Sequence, residues 1–230
     1  MNQLTTRGII LSRIDYGEAD RIITVLTPDY GKLHLMARGV RKIKSKLAGG
    51  IELFSVSDLV FIRGKGDMGT LVSSRLLRHY GRIVETLQRT MTGYELIKQL
   101  NRVTEDEPEA VYFQLLEQAF EALDMADIAL ELVQVWFVSQ LLDIAGHSPN
   151  LQTDEFGHKL ESSKKYNFSF DAMAFTSAEH GRFNASHIKL LRLIFSNHQP
   201  KVLNQVQAKE NLLGELVPLM QTMLKAHIRV

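Results

Sequence analysis

The chain has 230 residues, 45% of them hydrophobic, with 27 basic against 26 acidic side chains and no cysteine. That balance excludes a disordered or fibrous protein, and the missing thiols exclude disulfides, thiolate nucleophiles, iron-sulfur clusters and cysteine-ligated zinc. The first residues lack a basic segment followed by an apolar core, and the most apolar stretch, residues 128–144, is broken by Glu131, Gln134, Gln140 and Asp143, so a cytoplasmic protein without a membrane span is expected.

Up to about residue 80, β-branched runs are punctuated by Gly, Pro and Asp, and five strands are predicted. The first covers residues 5–14 and leads through Asp15-Tyr16-Gly17 to a second at 21–27, then a tight turn at Pro28-Asp29-Tyr30-Gly31. In the third, Leu33, Leu35 and Ala37 alternate with Lys32, His34 and Met36, the period of a half-buried strand. A loop at 38–50 precedes strands at 52–62 and 70–77, which flank a loop at 63–69. Five short strands in this span suit a small closed barrel such as an OB-fold. From Ile83 the spacing becomes three and four, and Leu87, Met91, Tyr94 and Leu100 mark one stripe of a first helix. Thr104, Glu107 and Pro108 have the pattern of a capping box with Pro inside a helix start, which predicts a second helix from about Glu107. A third, 127–145, is apolar on nearly every side, which implies an enclosed position, and ends at Gly146. Residues 147–181 are polar and irregular, with a hairpin expected around 166–175, before helices at 184–197 and 202–227, the last kinked by Pro218. The fold class is α+β: an N-terminal five-stranded OB-fold β-barrel over 1–80, followed by an α-helical domain over 81–230 with an irregular insertion at about 147–181.

Charge is sorted along the chain. Residues 1–80 carry 13 basic and 7 acidic side chains, 103–158 carry 12 acids and no Lys or Arg, and 159–230 return to 10 and 5. The densest cationic segment is the 38–50 loop, with Arg38, Arg41, Lys42, Lys44 and Lys46 and no acid. Between two strands of a barrel, such a loop is placed to track a phosphate backbone, and a solvated basic loop is the plainer alternative. Tyr30, Phe54 and Phe61 are the nearest aromatics for base stacking, with Phe54 and Phe61 in apolar runs that favour core packing. Gly64, Gly66 and Gly69 match G-x-G-x-x-G, but the sequence after Gly69 reads as a strand, whereas a dinucleotide-binding glycine loop must open a helix. The eight histidines are scattered, so neither a metal set nor a catalytic centre is assigned, and no cofactor is expected. In the basic final block, Lys189, Arg192, Lys201 and Lys209 offer a place for an acidic peptide to dock between amphipathic helices.

Several of these pieces recur in a fixed order: Ala19-Asp20-Arg21-Ile22-Ile23-Thr24-Val25-Leu26-Thr27, Tyr30-Gly31-Lys32-Leu33, Ala37-Arg38-Gly39-Val40-Arg41, Ser45-Lys46-Leu47-Ala48-Gly49 and Leu53-Phe54. In this order and spacing they resemble the N-terminal domain of the bacterial recombination mediator family RecO, with a looser match through the helical remainder. The resemblance implies an OB-fold followed by a helical domain in a non-catalytic protein of recombinational repair. It also implies binding of single-stranded and double-stranded DNA, annealing of complementary strands, cooperation with RecR in loading RecA, and contact with the acidic C-terminal tail of single-strand-binding protein. Many members carry a four-cysteine zinc site in the region matching about 152–178. Here Thr153-Asp154-Glu155-Phe156-Gly157 stands where a Cys-x-x-Cys-Gly would be, so zinc is not carried over.

A cationic surface that holds two complementary strands lowers the phosphate repulsion between them and leaves base pairing to drive annealing. If all five loop cations neutralise phosphates of one strand, the salt slope is about −3.5, roughly a hundredfold loss of affinity between about 50 and 200 mM salt. Two other readings are an adaptor whose helical domain recruits repair proteins while the barrel adds little DNA affinity, and a nicotinamide-dependent enzyme built on the 64–69 glycines.

Overall fold

The computed structural model describes residues 2–64, 66–104, 109–196, 198–206 and 210–227. Five strands, β1 (Gln3–Tyr16), β2 (Asp20–Thr27), β3 (Gly31–Ala37), β4 (Ser55–Ile62) and β5 (Met68–His79), close into a barrel in the order β1-β2-β3-β5-β4, with β4 pairing back onto β1. The β3–β5 pairing is parallel and the other four are antiparallel, an arrangement consistent with the expected OB-fold.

The alternation read from the sequence is what builds this barrel: Ile10, Ile23, Val25, Leu35, Leu59 and Phe61 point inward to one buried cluster. Closure requires glycine. At Gly69, opposite Leu35 in the β3–β5 register, a Cβ would lie 2.8 Å from Leu35 Cδ2 and 2.9 Å from the Ile62 carbonyl oxygen. At Gly64 a Cβ would lie 2.1 Å from the Met68 carbonyl oxygen. The G-x-G-x-x-G run therefore joins two strands of one barrel, with β5 following it, and its first and last glycines are explained by chain packing.

Short 3-10 turns occupy Ala48–Gly50 and Gly81–Val84, and the helices are α1 (Leu87–Val103), α2 (Ala110–Leu123), α3 (Leu130–Ile144), α4 (Ala185–Phe195), α5 (Pro200–Leu203) and α6 (Glu210–His227). The region expected to be irregular holds a three-stranded sheet of β6 (Asn150–Asp154), β7 (Tyr166–Ser169) and β8 (Ala174–Ser177) in the order β6-β8-β7. Its β7–β8 pair is the expected hairpin, beginning at Tyr166 and running on to Ser177.

The chain divides into two units, Met1–Met125 and Ala126–Val230. In the first, α1 and α2 belong with the barrel. Phe54, held at a left-handed φ of 55°, packs its ring edge-on against Tyr94 and Phe120, and Tyr80 meets Phe120 in the same way. Lys32 on β3 donates from Nζ to the carbonyl oxygens of Asn101 (3.3 Å) and Thr104 (3.0 Å) at the end of α1, where a cation meets the negative end of the helix dipole. The expected α1 stripe is split: Leu100 is buried, while Leu87, Met91 and Tyr94 are 72%, 55% and 45% exposed. The buried face runs instead through Gly93, Leu96, Ile97 and Leu100, because Gly93 lets the helix backbone approach Phe54 and Ile83. Of the capping box proposed at Thr104 and Glu107, Thr104 instead closes α1 as its C-cap, its Oγ1 donating to the Leu100 carbonyl at 2.9 Å, while Glu107 and Pro108 lie outside the described residues and α2 begins at Ala110.

In the second unit α3 is enclosed as expected, packed by α4, α5 and α6, with every residue from Val135 to Leu142 buried. The single helix expected over 202–227 is two helices, α5 and α6, and Pro218 lies inside α6.

Candidate nucleic-acid interface

The basic loop leaves β3 at Ala37 and is fixed at both ends. Gly39 takes a left-handed φ of 66°, and its N–H donates to Asp20 Oδ1 at 2.7 Å. The next side chain, Val40, enters the barrel core. Arg41 staples the loop to the β1–β2 turn: its backbone N–H donates to the Ala19 carbonyl (2.9 Å), its guanidinium donates to the Gly17 carbonyl (3.2 Å), and its Nε lies 3.5 Å from Asp15 Oδ2. Arg21 also donates to Asp15, and that hydrogen bond, together with the charges of Arg41 and Arg13, holds the Asp15 carboxyl below its ordinary pKa. At the far end Leu47 and Ala48 pack on the core, and Ser74 on β5 donates from Oγ to the Leu47 carbonyl at 2.9 Å.

Between these anchors Lys42, Ile43, Lys44 and Lys46 stand exposed, with Ile43 fully exposed at the tip and Arg38 exposed at the entry. Among the described residues Arg38, Lys42, Lys44 and Lys46 form no ion pair, so four of the five predicted cations keep their charge for an external partner. The fifth, Arg41, shares its charge with Asp15 and positions the loop.

A cleft of about 340 Å³ opens where β3 meets the loop joining β4 to β5. Phe61, which lines its floor, is buried, as is Phe54 elsewhere in the unit, and both do the core work expected of them. Tyr30 is half-buried, its ring edge-on to Phe61 with centroids 5.5 Å apart, and the Arg63 guanidinium lies 5.3 Å over the Tyr30 ring centroid. His34, Gly66 and Asp67 complete the wall. Sequence reading missed Arg63, whose signal is only a cation at a strand end, ahead of a glycine-rich loop.

Of the four cations assigned to an acidic peptide, the second unit carries Lys189 and Arg192 on α4 and Lys201 on α5. Lys189 and Arg192 share a face of α4, but Arg192 Nε donates to the Leu151 carbonyl at 2.8 Å and so ties the helix to β6. Lys189 is exposed, Lys201 is exposed on α5, and Lys209 lies outside the described residues. The segment matched to a zinc knuckle is closed by a carboxylate: Asp154 Oδ1 accepts from the N–H groups of Phe156 (3.0 Å) and His158 (2.8 Å), and Oδ2 lies 3.3 Å from His158 Nδ1. Burial would raise the Asp154 pKa, but these hydrogen bonds outweigh it and hold the carboxyl below its ordinary value. With no thiolate in the turn and both carboxylate oxygens engaged, these residues do not fit a zinc ion, and among the described residues no group of three or more His, Cys, Asp or Glu is placed to hold one.

No helix among the described residues is long and apolar enough to cross a membrane. The family described as "Recombination protein O N terminal" matches residues 1–80, and that described as "Recombination protein O C terminal" matches residues 93–230. The chain is 32% identical over 232 residues to the DNA repair protein RecO of Dehalococcoides mccartyi, spanning 97% of this chain and 88% of that protein. It is 30% identical over 146 residues to the protein of the same name from Rubrobacter xylanophilus and 34% identical over 151 residues to that from Acetivibrio thermocellus. Those two matches cover 64% and 65% of this chain, and 58% and 59% of the lengths of the relatives.

Proposed function

We propose that this chain, which belongs to the RecO family of DNA repair and recombination proteins, is a mediator without a reaction centre that binds single- and double-stranded DNA by its phosphates and anneals complementary strands. The observation that carries this reading is the 38–46 loop: four exposed cations free of ion pairs among the described residues, on a segment anchored at Val40 and Leu47. A strand laid on that loop exchanges its condensed counterions for fixed ammonium and guanidinium groups, and the released ions supply the binding free energy. A second strand then approaches a partly neutralised first strand, so the repulsion opposing encounter falls while base pairing remains the driving force. No bond is made or broken by the protein.

In repair, this activity belongs beside RecR and single-strand-binding protein and serves the loading of RecA on coated strands; the family resemblance supports these partners. For the acidic tail of single-strand-binding protein, the exposed Lys189 and Lys201 are the cations that remain available, since Arg192 is committed to Leu151.

The test is fluorescence anisotropy of a labelled single-stranded oligonucleotide across a salt series. Four free cations give a slope of about −2.8 and about a fiftyfold loss of affinity between about 50 and 200 mM salt. Changing Arg38, Lys42, Lys44 and Lys46 together to Glu is expected to abolish that slope and the annealing of complementary oligonucleotides. Unchanged binding by the variant overturns the assignment.

A further inference from the structure

We infer that Ile43, at the tip of the basic loop, inserts as a wedge between neighbouring base pairs of a duplex held by that loop, so that the protein favours a duplex whose stack is already loosened by a mismatch. The inference rests on the reading of the 38–46 loop as a DNA-binding segment and adds to it an apolar contact with the bases.

The tip is built to project. The Lys42 N–H donates to the Gly39 carbonyl (3.1 Å) and the Ser45 N–H to the Lys42 carbonyl (2.9 Å), two tight turns in succession, and Ser45 Oγ accepts from the Leu47 N–H at 3.3 Å. Ile43 and Lys44 are therefore the central residues of the second turn, where the chain reverses. Turns favour polar residues, glycine and proline. Here the turn carries a β-branched hydrocarbon that is fully exposed, whereas the nearest apolar neighbours, Val40 and Leu47, pack on the barrel core. The branch makes χ1 stiff, so little side-chain freedom is lost on insertion.

A single exposed apolar side chain is ordinary by itself, and its neighbours give this one a role. Lys42 and Lys44 flank it directly, both exposed and without an ion pair among the described residues. Cations on either side of Ile43 meet phosphates on either side of a base step, which brings the hydrocarbon to the step itself. An apolar wedge between base steps, with basic side chains on the adjoining backbone, kinks duplex DNA and unstacks it locally. An anionic bilayer would attract the same cations, but one isoleucine buries far less than a single myristoyl chain, itself only a marginal anchor. Unstacking an intact step costs about as much as burying one isoleucine returns. The wedge therefore adds little affinity for a perfect duplex and shows itself where the step is already open.

The experiment measures anisotropy of two labelled duplexes of equal length on the full chain, one perfectly paired and one with a central mismatch beside a 2-aminopurine. The wild type is expected to bind the mismatched duplex at least about fivefold more tightly, since isoleucine is buried there with less stacking to break, and to brighten the 2-aminopurine as it unstacks. Ile43→Ser is expected to erase both effects while leaving perfect-duplex affinity and the salt slope unchanged, and Ile43→Leu to keep both; full exposure of the side chain lets both variants fold. Equal wild-type affinity for the two duplexes, with a steep salt slope, overturns the wedge and leaves the loop reading standing. So does a mismatch preference that persists in Ile43→Ser. A salt slope that falls in Ile43→Ser assigns the residue to shaping the loop and also overturns the wedge. No DNA binding by the wild type at any salt removes the loop reading and this inference together.

Discussion

A methyl group at position 93 would stand 2.7 Å from Phe54 Cε1 and 3.1 Å from Ile83 Cγ2. Phe54 cannot yield easily, since its backbone is already left-handed and its ring is fixed by Tyr94 and Phe120. Gly93→Ala is therefore expected to destabilise the chain in urea unfolding. The overpacking cost of about 1–3 kcal/mol exceeds the roughly 1 kcal/mol that alanine gains over glycine in a helix. This role was not legible in the sequence, where Gly93 sits unremarked beside a more conspicuous stripe of Leu87, Met91 and Tyr94. Hydrophobicity reports which residues would accept burial, whereas the barrel surface decides which are buried. The same gap hid Arg63: its partner Tyr30 is 33 residues away in the chain, and only the closed barrel brings them together. The basic loop, by contrast, was legible because all five of its cations fall within residues 38–46.

Among the elements, strands were easier to read than helix ends. Period-2 alternation marks a strand's buried face directly, as in β4, where Ser57, Leu59 and Phe61 are buried and Asp58, Val60 and Ile62 are less so. Helix termini depend on single capping contacts. At α4 the cap is a reciprocal box: Asn184 Oδ1 accepts from the N–H groups of Ser186 and His187, while the Asn184 N–H donates to His187 Nδ1 at 3.3 Å. That last bond requires a neutral ring. Burial pushes the His187 pKa down; Glu215 opposes the shift and Arg182 adds to it. The folded-state value thus lies below the unfolded one, so the stabilisation is complete above the ordinary histidine pKa and is lost as pH falls through it. Urea unfolding is expected to show lower stability at about pH 5.5 than at about pH 7.5, and His187→Gln is expected to flatten that difference. An equal pH dependence in the variant would assign the effect to another group. Of the three-stranded sheet of 150–177, the β7–β8 hairpin was legible and β6 was not: it is five residues long, and it joins β8 in the order β6-β8-β7, which is not the chain order.

At the scale of the molecule, residue patterning and packing draw different lines. Composition changes near residue 80, where strands give way to helices, while α1 and α2 share a core with the barrel through Phe54, Tyr80 and Phe120. A fragment of residues 1–125 is expected to unfold cooperatively on heating. One of residues 1–80, which would expose the fully buried Tyr80 and the nearly buried Phe54, is expected to show no such transition. A sharp transition in the shorter fragment would place the folding boundary at the change of element type. The grouping of α2 with the barrel also has an electrostatic consequence. Residues 1–125 contain 17 basic and 16 acidic side chains, with Arg78 paired to Glu121 across the barrel–helix contact. From farther than a Debye length, about 8 Å, a nucleic acid meets a body that is almost neutral. Capture then occurs at touching distance rather than by attraction from afar, so collisions are not accelerated, and how long a strand stays decides which strands are kept.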